Sequence, residues 1–358
     1  MRQLSTLLCL GTLCSVLLLS SCKSNDSGPT LAPKGPPPSW APGIHNEMLV
    51  VIEQLDSFHL PPIQALTPQD ARMQPGISDA EKIVAQRYGL SGPLRIADTF
   101  GREIPVAGGS IHARIYRRSS GSVTAPAIVY YHGGGWVISN VKTYDATARA
   151  LVEETGAIVV SVAYRKGPES KFPTAHKDAL AAYKWVLANA ATLGINTSRM
   201  AVAGEGAGAN LACNVSIAAR DSGLTMPRHQ LLVYPIAQNN LNTASYNQYA
   251  SAMPLNKPLI MWFLGHYLNS MSDTADRRIN LVAANLSGLP STTIINAELD
   301  PLRDDGQLLE TALKANGVSV SRHLFNGVTH EFFGLNAVVP EARQAQTIAV
   351  GALRTALQ

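Results

Sequence analysis

Hydrophobic and polar positions follow two different patterns along this chain, and their order predicts its architecture. Between residues 44 and 89 the apolar positions recur at helical spacing, which predicts helices at the start of the domain. The segments 94–104 and 111–117 are predicted to form two antiparallel strands. From residue 127 onward, short apolar strands alternate with helices, and the chain closes with a predicted helix at 340–357.

The alternating part of the chain predicts a sheet that is mostly parallel. A strand, a helix and a second strand in succession form a right-handed crossover, and such crossovers place helices on both faces of the sheet. The predicted strands of this part are 127–131, 157–164, 200–203, 230–234, 292–297 and 319–325. The predicted helices between them are 144–155, 172–190, 207–220 and 307–316. The fold class is therefore α/β.

The alternation breaks between residues 238 and 286. An aromatic-rich helix is predicted at 257–268, and no strand follows it within this stretch. An insertion of this kind, combined with the N-terminal helices, is typical of a cap over a binding site. We therefore expect one domain over residues 44–358, with a cap formed by about 44–90 and 238–286.

The first 22 residues have the pattern of a lipoprotein signal peptide. Arg2 supplies a positive start, and residues 7–19 form an apolar stretch that is too short to span a bilayer comfortably. The stretch leads into Leu-Ser-Ser-Cys, which resembles a bacterial lipobox and makes Cys22 the expected lipid attachment site. The alternative is an ordinary secretory signal with an incidental cysteine. Residues 23–43 are rich in Ser, Gly and Pro and are expected to form a flexible tether.

These features predict a protein outside the cytoplasm that a lipid anchor holds to a bacterial membrane. Lys23 follows the cysteine, and a residue other than Asp at this position permits transfer to the outer membrane in many Gram-negative lipoproteins. Once the signal is removed, Cys213 is the one cysteine besides Cys22, so no internal disulfide is expected. Cys213 stands in an Ala- and Leu-rich helical run, which is typical of a small buried hydrophobic residue.

Composition agrees with a single globular domain. The chain has 358 residues, of which 46% are hydrophobic and 15% charged, and this length suffices for one large core. Its formal net charge of +4 is mild, and its Lys and Arg residues are scattered along the chain. A nucleic-acid partner is therefore not expected.

A glycine-rich turn follows one of the predicted strands and precedes a helix. Its sequence is Gly204-Glu205-Gly206-Ala207-Gly208. This is the context of a nucleophile elbow, G-x-S-x-G, in which glycines flank the turn because strand and helix approach too closely for a Cβ. The central residue of such an elbow lifts its side chain above the sheet, but here it is Gly206, which has none. Alone, the motif would also fit a glycine-rich turn of another α/β fold.

A second glycine-rich segment follows an earlier predicted strand. The sequence HGGGW at 132–136 matches the oxyanion loop of esterases and lipases. We expect the backbone amides of Gly133 and Gly134, together with that of Ala207, to hold the oxyanion of a tetrahedral intermediate. His132 is expected to fix this loop and not to act as a base.

Two further polar residues come directly after the last two predicted strands. Asp300 opens the run DPLRDDG, and His330 stands in the run NGVTHEF. Asp300 is expected to accept a hydrogen bond from one imidazole nitrogen of His330, and His330 to act as the general acid and base. Either residue alone would more often be a solvated loop residue. The chain order of elbow, acid and histidine, together with the oxyanion loop, argues for a catalytic site.

Over roughly residues 45–356 the chain resembles the hormone-sensitive-lipase family of bacterial esterases, also called family IV. Besides the motifs above, YRKGPE at 164–169 parallels a family segment that Phe172, Pro173 and Asp178 continue. The resemblance implies an α/β-hydrolase fold with an eight-stranded, mostly parallel sheet and a helical cap. It also implies substrates that are esters with short to medium acyl chains, no metal and no cofactor. Dimers are common in this family, so a homodimer is a candidate state.

Gly206 departs from the family pattern, because without a hydroxyl group no acyl-enzyme can form. Three hypotheses stay open. In the first, the chain is an esterase that lost its serine through engineering, sequence error or recent change. In the second, it binds an ester-like or other apolar ligand without turnover. In the third, Asp300 and His330 activate a water for direct hydrolysis or a lyase-like proton transfer. Ser216 lies on the following helix and cannot replace the serine, and Ser139 is a poor substitute.

Two neighbouring features carry less information. Glu205 stands beside the elbow where the family commonly has Asp or Glu, and the resemblance implies a structural role for it. The aromatic side chains of Trp136, Trp262, Phe263 and Phe332 would suit an apolar pocket, but each alone is more often a core residue. The natural substrate and its acyl length therefore stay open.

Overall fold

The centre of the structure, a computed structural model that describes residues 31–92, 97–118 and 124–358, is a sheet of eight strands. In chain order the strands are β1 (Asp98–Val106), β2 (Gly109–Arg117), β3 (Ala125–Tyr131), β4 (Ile158–Ala163), β5 (Ile195–Glu205), β6 (His229–Val233), β7 (Ser291–Leu299) and β8 (Val320–Thr329). Their order across the sheet is β1-β2-β4-β3-β5-β6-β7-β8. Strand β2 is antiparallel to both of its neighbours, and the other adjacent pairs are parallel. The predicted eight-stranded, mostly parallel sheet is confirmed.

Helices lie on both faces of this sheet. They are α1 (Asn46–Asp56), α2 (Pro68–Ala71), α3 (Ile77–Arg87), α4 (Asp145–Thr155), α5 (Thr174–Ala188), α6 (Ala190–Leu193), α7 (Ala207–Asp221), α8 (Ala244–Gln248), α9 (Lys257–Tyr267), α10 (Arg303–Ala315) and α11 (Pro340–Ala356). Alternate side chains of each strand enter two separate cores, as the two-residue period of a strand requires. Val129 and Tyr131 of β3 pack with α5 and α7, whereas Ile128 and Tyr130 pack with α1, α3, α4 and α11.

Most predicted elements are present, and strand β5 and helix α10 begin four or five residues earlier than expected. Strand β5 begins at Ile195, which pairs with Ala125 of β3, and the polar stretch that follows is an irregularity before regular pairing starts at Met200. Helix α10 begins at Arg303, inside the acidic run that the hydrophobic pattern left out of the helix. Acidic residues favour the first turn of a helix, where they face the positive end of its dipole. Among the described residues, no helix is both long and apolar enough to cross a membrane.

The described part of the predicted tether is packed on the domain. Leu31 and Ala41 are buried in the same core as α1. The backbone amides of Lys34 and Gly35 both donate hydrogen bonds to the carboxylate of Glu53 in α1, at 2.8 Å to its Oε1. Apolar side chains within the Ser-, Gly- and Pro-rich stretch explain this difference from the expectation. The predicted signal peptide, Cys22 and residues 23–30 of the tether lie outside the described residues.

Both segments of the predicted cap contact the loop that follows β3. From the N-terminal segment, the guanidinium of Arg72 donates to the carbonyl oxygens of Val137 (2.8 Å) and Gly167 (2.6 Å). From the insertion, the ring of Phe263 in α9 lies so close to Gly135 that a Cβ at this glycine would overlap it. These contacts hold the HGGG loop between the sheet and the two segments, whose role as a cap stays a prediction.

Candidate active site

The turn between β5 and α7 has the backbone of a nucleophile elbow. Gly206 lies between these elements with φ 55° and ψ −115°, a conformation that glycine adopts freely and other residues adopt only with strain. A Cβ on Gly204 would overlap the backbone of Gly208, and a Cβ on Gly208 would overlap the carbonyl group of Tyr131. The close approach of strand and helix therefore explains both flanking glycines.

Position 206 itself has room for a side chain. A Cβ built on Gly206 would lie 3.5 Å from Nε2 of His330, an ordinary van der Waals distance. Its next nearest neighbour would be Cε1 of the same ring at 3.9 Å. A hydroxyl group on that Cβ could rotate its oxygen to within hydrogen-bonding distance of Nε2. Gly206 thus occupies the place from which a serine would face the histidine.

Asp300 and His330 form a buried hydrogen-bonded pair. Oδ2 of Asp300 lies 2.7 Å from Nδ1 of His330, and Oδ1 accepts the backbone amide of Leu302 at 2.9 Å. Asp300 is fully buried and His330 is 9% exposed. Because the carboxylate accepts a hydrogen bond from Nδ1–H, the other ring nitrogen, Nε2, is the one that faces Gly206. The two residues that were predicted from separate loops are therefore brought together.

The surroundings of His330 favour its protonated form. Burial lowers the pKa of the imidazole, but the negative charge of Asp300 and its hydrogen bond act in the opposite direction. The charges of Glu331 and Glu205 add to the effect of Asp300, and the net result is a pKa above the ordinary value. A base with a raised pKa accepts a proton more readily than a free histidine would.

Two tyrosines that the motifs did not indicate are bound to Glu205, and one of them also packs on His330. The ring of Tyr234, at the end of β6, lies 4.3 Å from the His330 ring between centroids. Its hydroxyl donates a hydrogen bond to Oε2 of Glu205, and Tyr130 donates to Oε1 at 2.5 Å. The only available signal was the position of Tyr234 directly after an apolar strand, the same position that Asp300 and His330 hold. The structural role expected for Glu205 is consistent with these bonds.

The HGGG loop presents backbone amides without acceptors. Within the described residues, no hydrogen bond uses the amides of Gly133, Gly134 or Gly135, or that of Ala207 at the start of α7. A Cβ on Gly133 would overlap the hydroxyl of Tyr144, and Gly134 has a φ of 98° that favours glycine. The glycines thus allow a tight loop beside the elbow, and they leave donors free for a ligand.

His132 is held as a structural residue. Its Nδ1 lies 2.7 Å from the carbonyl oxygen of Gly133, and its ring stacks on Tyr164 at 4.4 Å. The hydroxyl of Tyr164 donates to the carbonyl oxygen of His132 at 2.8 Å. Burial, assisted by the charge of Lys166, lowers the pKa of His132 to about 3, so the ring is neutral at ordinary pH. This environment agrees with the expectation that His132 shapes the loop and is not a base.

An apolar pocket adjoins the elbow. Its wall includes Ile236, whose backbone amide donates to the carbonyl oxygen of Gly206 at 3.4 Å. Trp136, Tyr246 and Phe263 also line it, so two of the four aromatic residues singled out from the sequence face a pocket. The pocket is small, and side chains of the insertion form most of its wall.

The other two aromatic residues are placed differently. Phe332 is fully buried and packs 5.4 Å from Phe325 between ring centroids, as a core residue does. Trp262 is partly buried against the core and packs at 5.6 Å from Phe263 on the same helix. Neither lines the pocket beside the elbow.

No described residue replaces the missing serine hydroxyl. In the described part of the chain, no hydroxyl or thiol group is hydrogen-bonded to Nε2 of His330. Ser216 is buried, and its Oγ lies 3.4 Å from the carbonyl oxygen of Ala212 within α7. Burial raises the pKa of the Cys213 thiol to about 12, which makes it inert and confirms that it is a buried hydrophobic residue.

Comparisons with known proteins relate the chain to a family of hydrolases. A family described as having the alpha/beta hydrolase fold matches residues 128–334. A carboxylesterase of Mycobacterium tuberculosis is 41% identical over 65% of this chain and 74% of its own length. An ethyl acetate hydrolase of Pseudomonas putida is 30% identical over 82% of this chain and 92% of its own length.

A solved structure extends the likeness to three dimensions. A hyperthermophilic esterase from the archaeon Pyrobaculum calidifontis matches with a TM-score of 0.78 and 35% identity, over 86% of this chain and 97% of that one. The α/β-hydrolase fold inferred from the motifs is therefore confirmed. These three relatives are described as a carboxylesterase, an ethyl acetate hydrolase and an esterase.

Proposed function

The chain belongs to the α/β-hydrolase fold family, in which its relatives are carboxylic-ester hydrolases, and we propose that its site is an ester-hydrolase site that lacks only its nucleophile. The substrates proposed are esters with short to medium acyl chains. The observation that carries this proposal is the 3.5 Å between Nε2 of His330 and the place of a Cβ at Gly206. A serine there would meet a histidine that Asp300 already orients.

The chemistry proposed for a Gly206→Ser variant uses groups that are already in position. Nε2 of His330 would take the proton of the serine hydroxyl as its oxygen attacks the ester carbonyl. The carbonyl oxygen would become an oxyanion beside the amides of Gly133, Gly134 and Ala207. His330 would then give its proton to the leaving alkoxide, and a water activated by the same nitrogen would hydrolyse the acyl-enzyme. Asp300 would stabilise the imidazolium in both steps.

With Gly206 in place, the acyl-enzyme route is closed. Removal of the nucleophile from a serine hydrolase typically costs about 10⁶ in kcat, and roughly 10³–10⁴ over the uncatalysed rate remains from binding and the oxyanion hole. The chain as it stands is therefore proposed to bind esters and to hydrolyse them very slowly.

A second candidate function follows from Nε2 of His330. In the described residues Nε2 has no hydrogen-bond partner, and it faces the open space at Gly206. A water in that space could lose a proton to Nε2 as its oxygen attacks the ester carbonyl, and the imidazolium would return that proton to the alkoxide as the ester C–O bond breaks, without a covalent intermediate. This route gives steady hydrolysis with no burst of the leaving group.

Hydrolysis of p-nitrophenyl acetate and p-nitrophenyl butyrate tests the proposal. The unmodified protein is compared with Gly206→Ser and with the double variant Gly206→Ser/His330→Gln. We expect Gly206→Ser to raise kcat by a factor of about 10³ or more, and the double variant to lose that gain. If Gly206→Ser is as inert as the unmodified protein, the proposal is wrong. If the unmodified protein is already as active as Gly206→Ser, another nucleophile or an activated water hydrolyses the ester.

We also propose that a lipid on Cys22 holds the protein at a bacterial membrane, with the outer membrane as the favoured site. The support is the sequence Leu-Ser-Ser-Cys at the end of a short apolar stretch. Several acyl chains on one residue anchor a protein stably, at about 0.8 kcal/mol per buried CH₂ group. Labelling of expressing cells with radioactive palmitate tests this proposal. Cys22→Ser should abolish the label and release the protein from the membrane fraction, whereas an unlabelled unmodified chain would contradict the proposal.

A further inference from the structure

We infer that Tyr144 and Glu331 are positioning residues of this site, and that the hydrogen bond between them holds the oxyanion loop and His330 at a fixed separation. Neither was among the site residues that the sequence predicted. Their role rests on the proposed ester hydrolysis, whose rate depends on that separation. The contact itself can be tested without turnover.

The hydroxyl group of Tyr144 packs against the oxyanion loop. A Cβ at Gly133 would overlap this hydroxyl oxygen and would lie 3.2 Å from the carbonyl oxygen of Glu205, so Gly133 fits closely against both the side chain and the elbow. The ring of Tyr144 also stacks on that of His132, at 6.1 Å between centroids. Tyr144 is buried and directly precedes α4, which gives its side chain a rigid base. The position of this hydroxyl therefore supports the position of Gly133.

Glu331 holds the other end of the contact and follows His330 directly in the chain. Its Oε1 accepts a hydrogen bond from the Tyr144 hydroxyl at 3.0 Å. With φ 66° and ψ 5°, Glu331 has a left-handed conformation, which a residue with a side chain keeps only where its surroundings hold it. The bond to Tyr144 is one such restraint. It therefore restrains the backbone that carries His330.

Catalysis needs these two sides of the site at a set distance from each other. The oxyanion has to lie about 3 Å from its amide donors while Nε2 of His330 exchanges a proton with the attacking and leaving oxygens. A displacement of about 1 Å can lower a rate by about 10². Asp300 orients the imidazole through a 2.7 Å contact with Nδ1, but this bond does not connect the ring to the oxyanion loop. The bond between Tyr144 and Glu331 makes that connection, because one partner supports the loop and the other adjoins the histidine.

Two properties of Glu331 act on the site, its hydrogen bond and its charge. Burial and the charge of Glu331 raise the pKa of Tyr144, so this hydroxyl stays protonated and donates the bond. Burial lowers the pKa of His330, but Asp300 and, less strongly, Glu331 raise it. Glu331→Gln removes the charge and keeps an acceptor, whereas Tyr144→Phe removes the bond and keeps the charge. The two substitutions therefore separate the two properties.

Hydrolysis of p-nitrophenyl butyrate in the Gly206→Ser background tests the effect on the reaction. Tyr144→Phe, which removes a single oxygen atom, and Glu331→Ala should each lower kcat about ten- to a hundredfold and change KM less than about twofold. The double variant should be no slower than the slower single variant, because both changes remove the same bond. Glu331→Gln should recover most of the kcat that Glu331→Ala loses. Tyr183→Phe, at a buried tyrosine of α5, is the matched control and should leave kcat unchanged.

Nuclear magnetic resonance in the unmodified background tests the contact without turnover. Glu331→Ala should shift the amide resonance of Gly133, to which Tyr144 connects it, and Glu331→Gln should shift that resonance much less. Both changes should lower the pKa of His330, because both remove a negative charge near the imidazole. Tyr144→Phe keeps that charge, so it should shift the imidazole resonances but alter their pKa less. Tyr183→Phe should change neither the amide nor the imidazole signals.

Three results would overturn the inference: an unchanged kcat in Tyr144→Phe, losses that add in the double variant, or a Gly133 amide that does not respond to Glu331→Ala. An inactive Gly206→Ser protein would refute the hydrolase proposal, and the resonances in the unmodified background would still decide whether the contact links the loop to the histidine. If Glu331→Ala does not fold, Tyr144→Phe decides in its place, because unshifted imidazole resonances of His330 in that variant would contradict the link.

Discussion

The two halves of the candidate site lie next to each other above the sheet, but they differ in how completely they are built. On the acid and base half, Asp300 is fully buried and both of its oxygens are hydrogen-bonded, one of them to His330. On the nucleophile half, Gly206 carries no side chain, and the amide of Ala207 has no acceptor in the described residues. One half is a finished hydrogen-bonded unit, and the other consists of backbone alone.

The difference shows that the flanking glycines of the elbow and the residue at its centre are constrained by different physical causes. Gly204 and Gly208 are required by the packing of β5 against α7, whatever stands between them. The φ of 55° at position 206 strains any residue except glycine, so Gly206 relieves strain that a serine would impose. The Asp300–His330 pair has no comparable packing requirement, and its presence points to a use of the site.

The largest effect is expected when Asp300 is changed in the Gly206→Ser variant. In the Gly206→Ser background, Asp300→Asn should lower kcat for p-nitrophenyl butyrate by roughly 10³–10⁴, because the histidine then adopts the wrong tautomer. Asp56→Asn, at an exposed position at the end of α1, is the control and should change kcat little. An active Asp300→Asn enzyme would mean that the pair does not serve catalysis.

The next largest effect is a change in the free energy of unfolding caused by backbone strain at position 206. Gly206→Ala should lower the free energy of unfolding by about 1–3 kcal/mol, because alanine at this φ is strained although its Cβ meets no close atom. Gly351→Ala in α11 is the matched control and should leave stability unchanged or raise it by up to about 1 kcal/mol. Urea unfolding measures both. Equal behaviour of the two variants would remove the argument that Gly206 relieves strain.

A smaller effect is expected from Glu205, which lies beside the elbow and acts on the pKa of His330. Glu205 ends β5 on the elbow side, and its charge is one of those that raise the pKa of His330. Glu205→Gln keeps the shape of this side chain and removes its charge, so the pKa of His330 should fall. Nuclear magnetic resonance of the imidazole measures this directly in the unmodified background. Tyr183→Phe, at a buried tyrosine of α5 whose hydroxyl donates to the carbonyl oxygen of Thr225, is the control and should leave the pKa where it is.

The smallest effect is a change of stability with pH. The folded pKa of His330 lies above the unfolded value of about 6.5, so the ion pair with Asp300 stabilises the fold fully below that pH. Its contribution is lost as the pH rises through the folded pKa. The loss of stability caused by His330→Gln should therefore be larger at about pH 5.5 than at about pH 8.5. A loss that does not depend on pH would contradict the raised pKa.

Much of this fold could be predicted from the sequence, because each strand of the parallel part is a short apolar run. Strand β4 is buried over nearly its whole length and was predicted almost in full. Strand β5 was predicted only at its apolar end, because Asn196, Thr197 and Ser198 carry no strand pattern of their own. They lie in an irregularity of the pairing between β3 and β5, before the regular pairs that begin at Met200, and a local hydrophobic pattern does not reveal such a segment.

The candidate site, like the fold, could be predicted from the sequence only in part. Motif order was enough to predict that Asp300 and His330 meet, because the ends of neighbouring parallel strands lie at one edge of the sheet. The supporting contacts of Tyr234 and Tyr130 with Glu205 could not be predicted. They join three strands through side-chain geometry, and an isolated tyrosine after a strand is too common to indicate such a network.

The most direct test of the central claim, that the site is complete apart from its nucleophile, is labelling with a fluorophosphonate. Such a probe reacts with a serine only where a base and an oxyanion hole activate it. Intact mass and peptide mapping should show one adduct on the Gly206→Ser protein, at position 206, and none on the unmodified protein. An unlabelled Gly206→Ser protein that is folded would contradict the claim, as would an adduct on the unmodified chain.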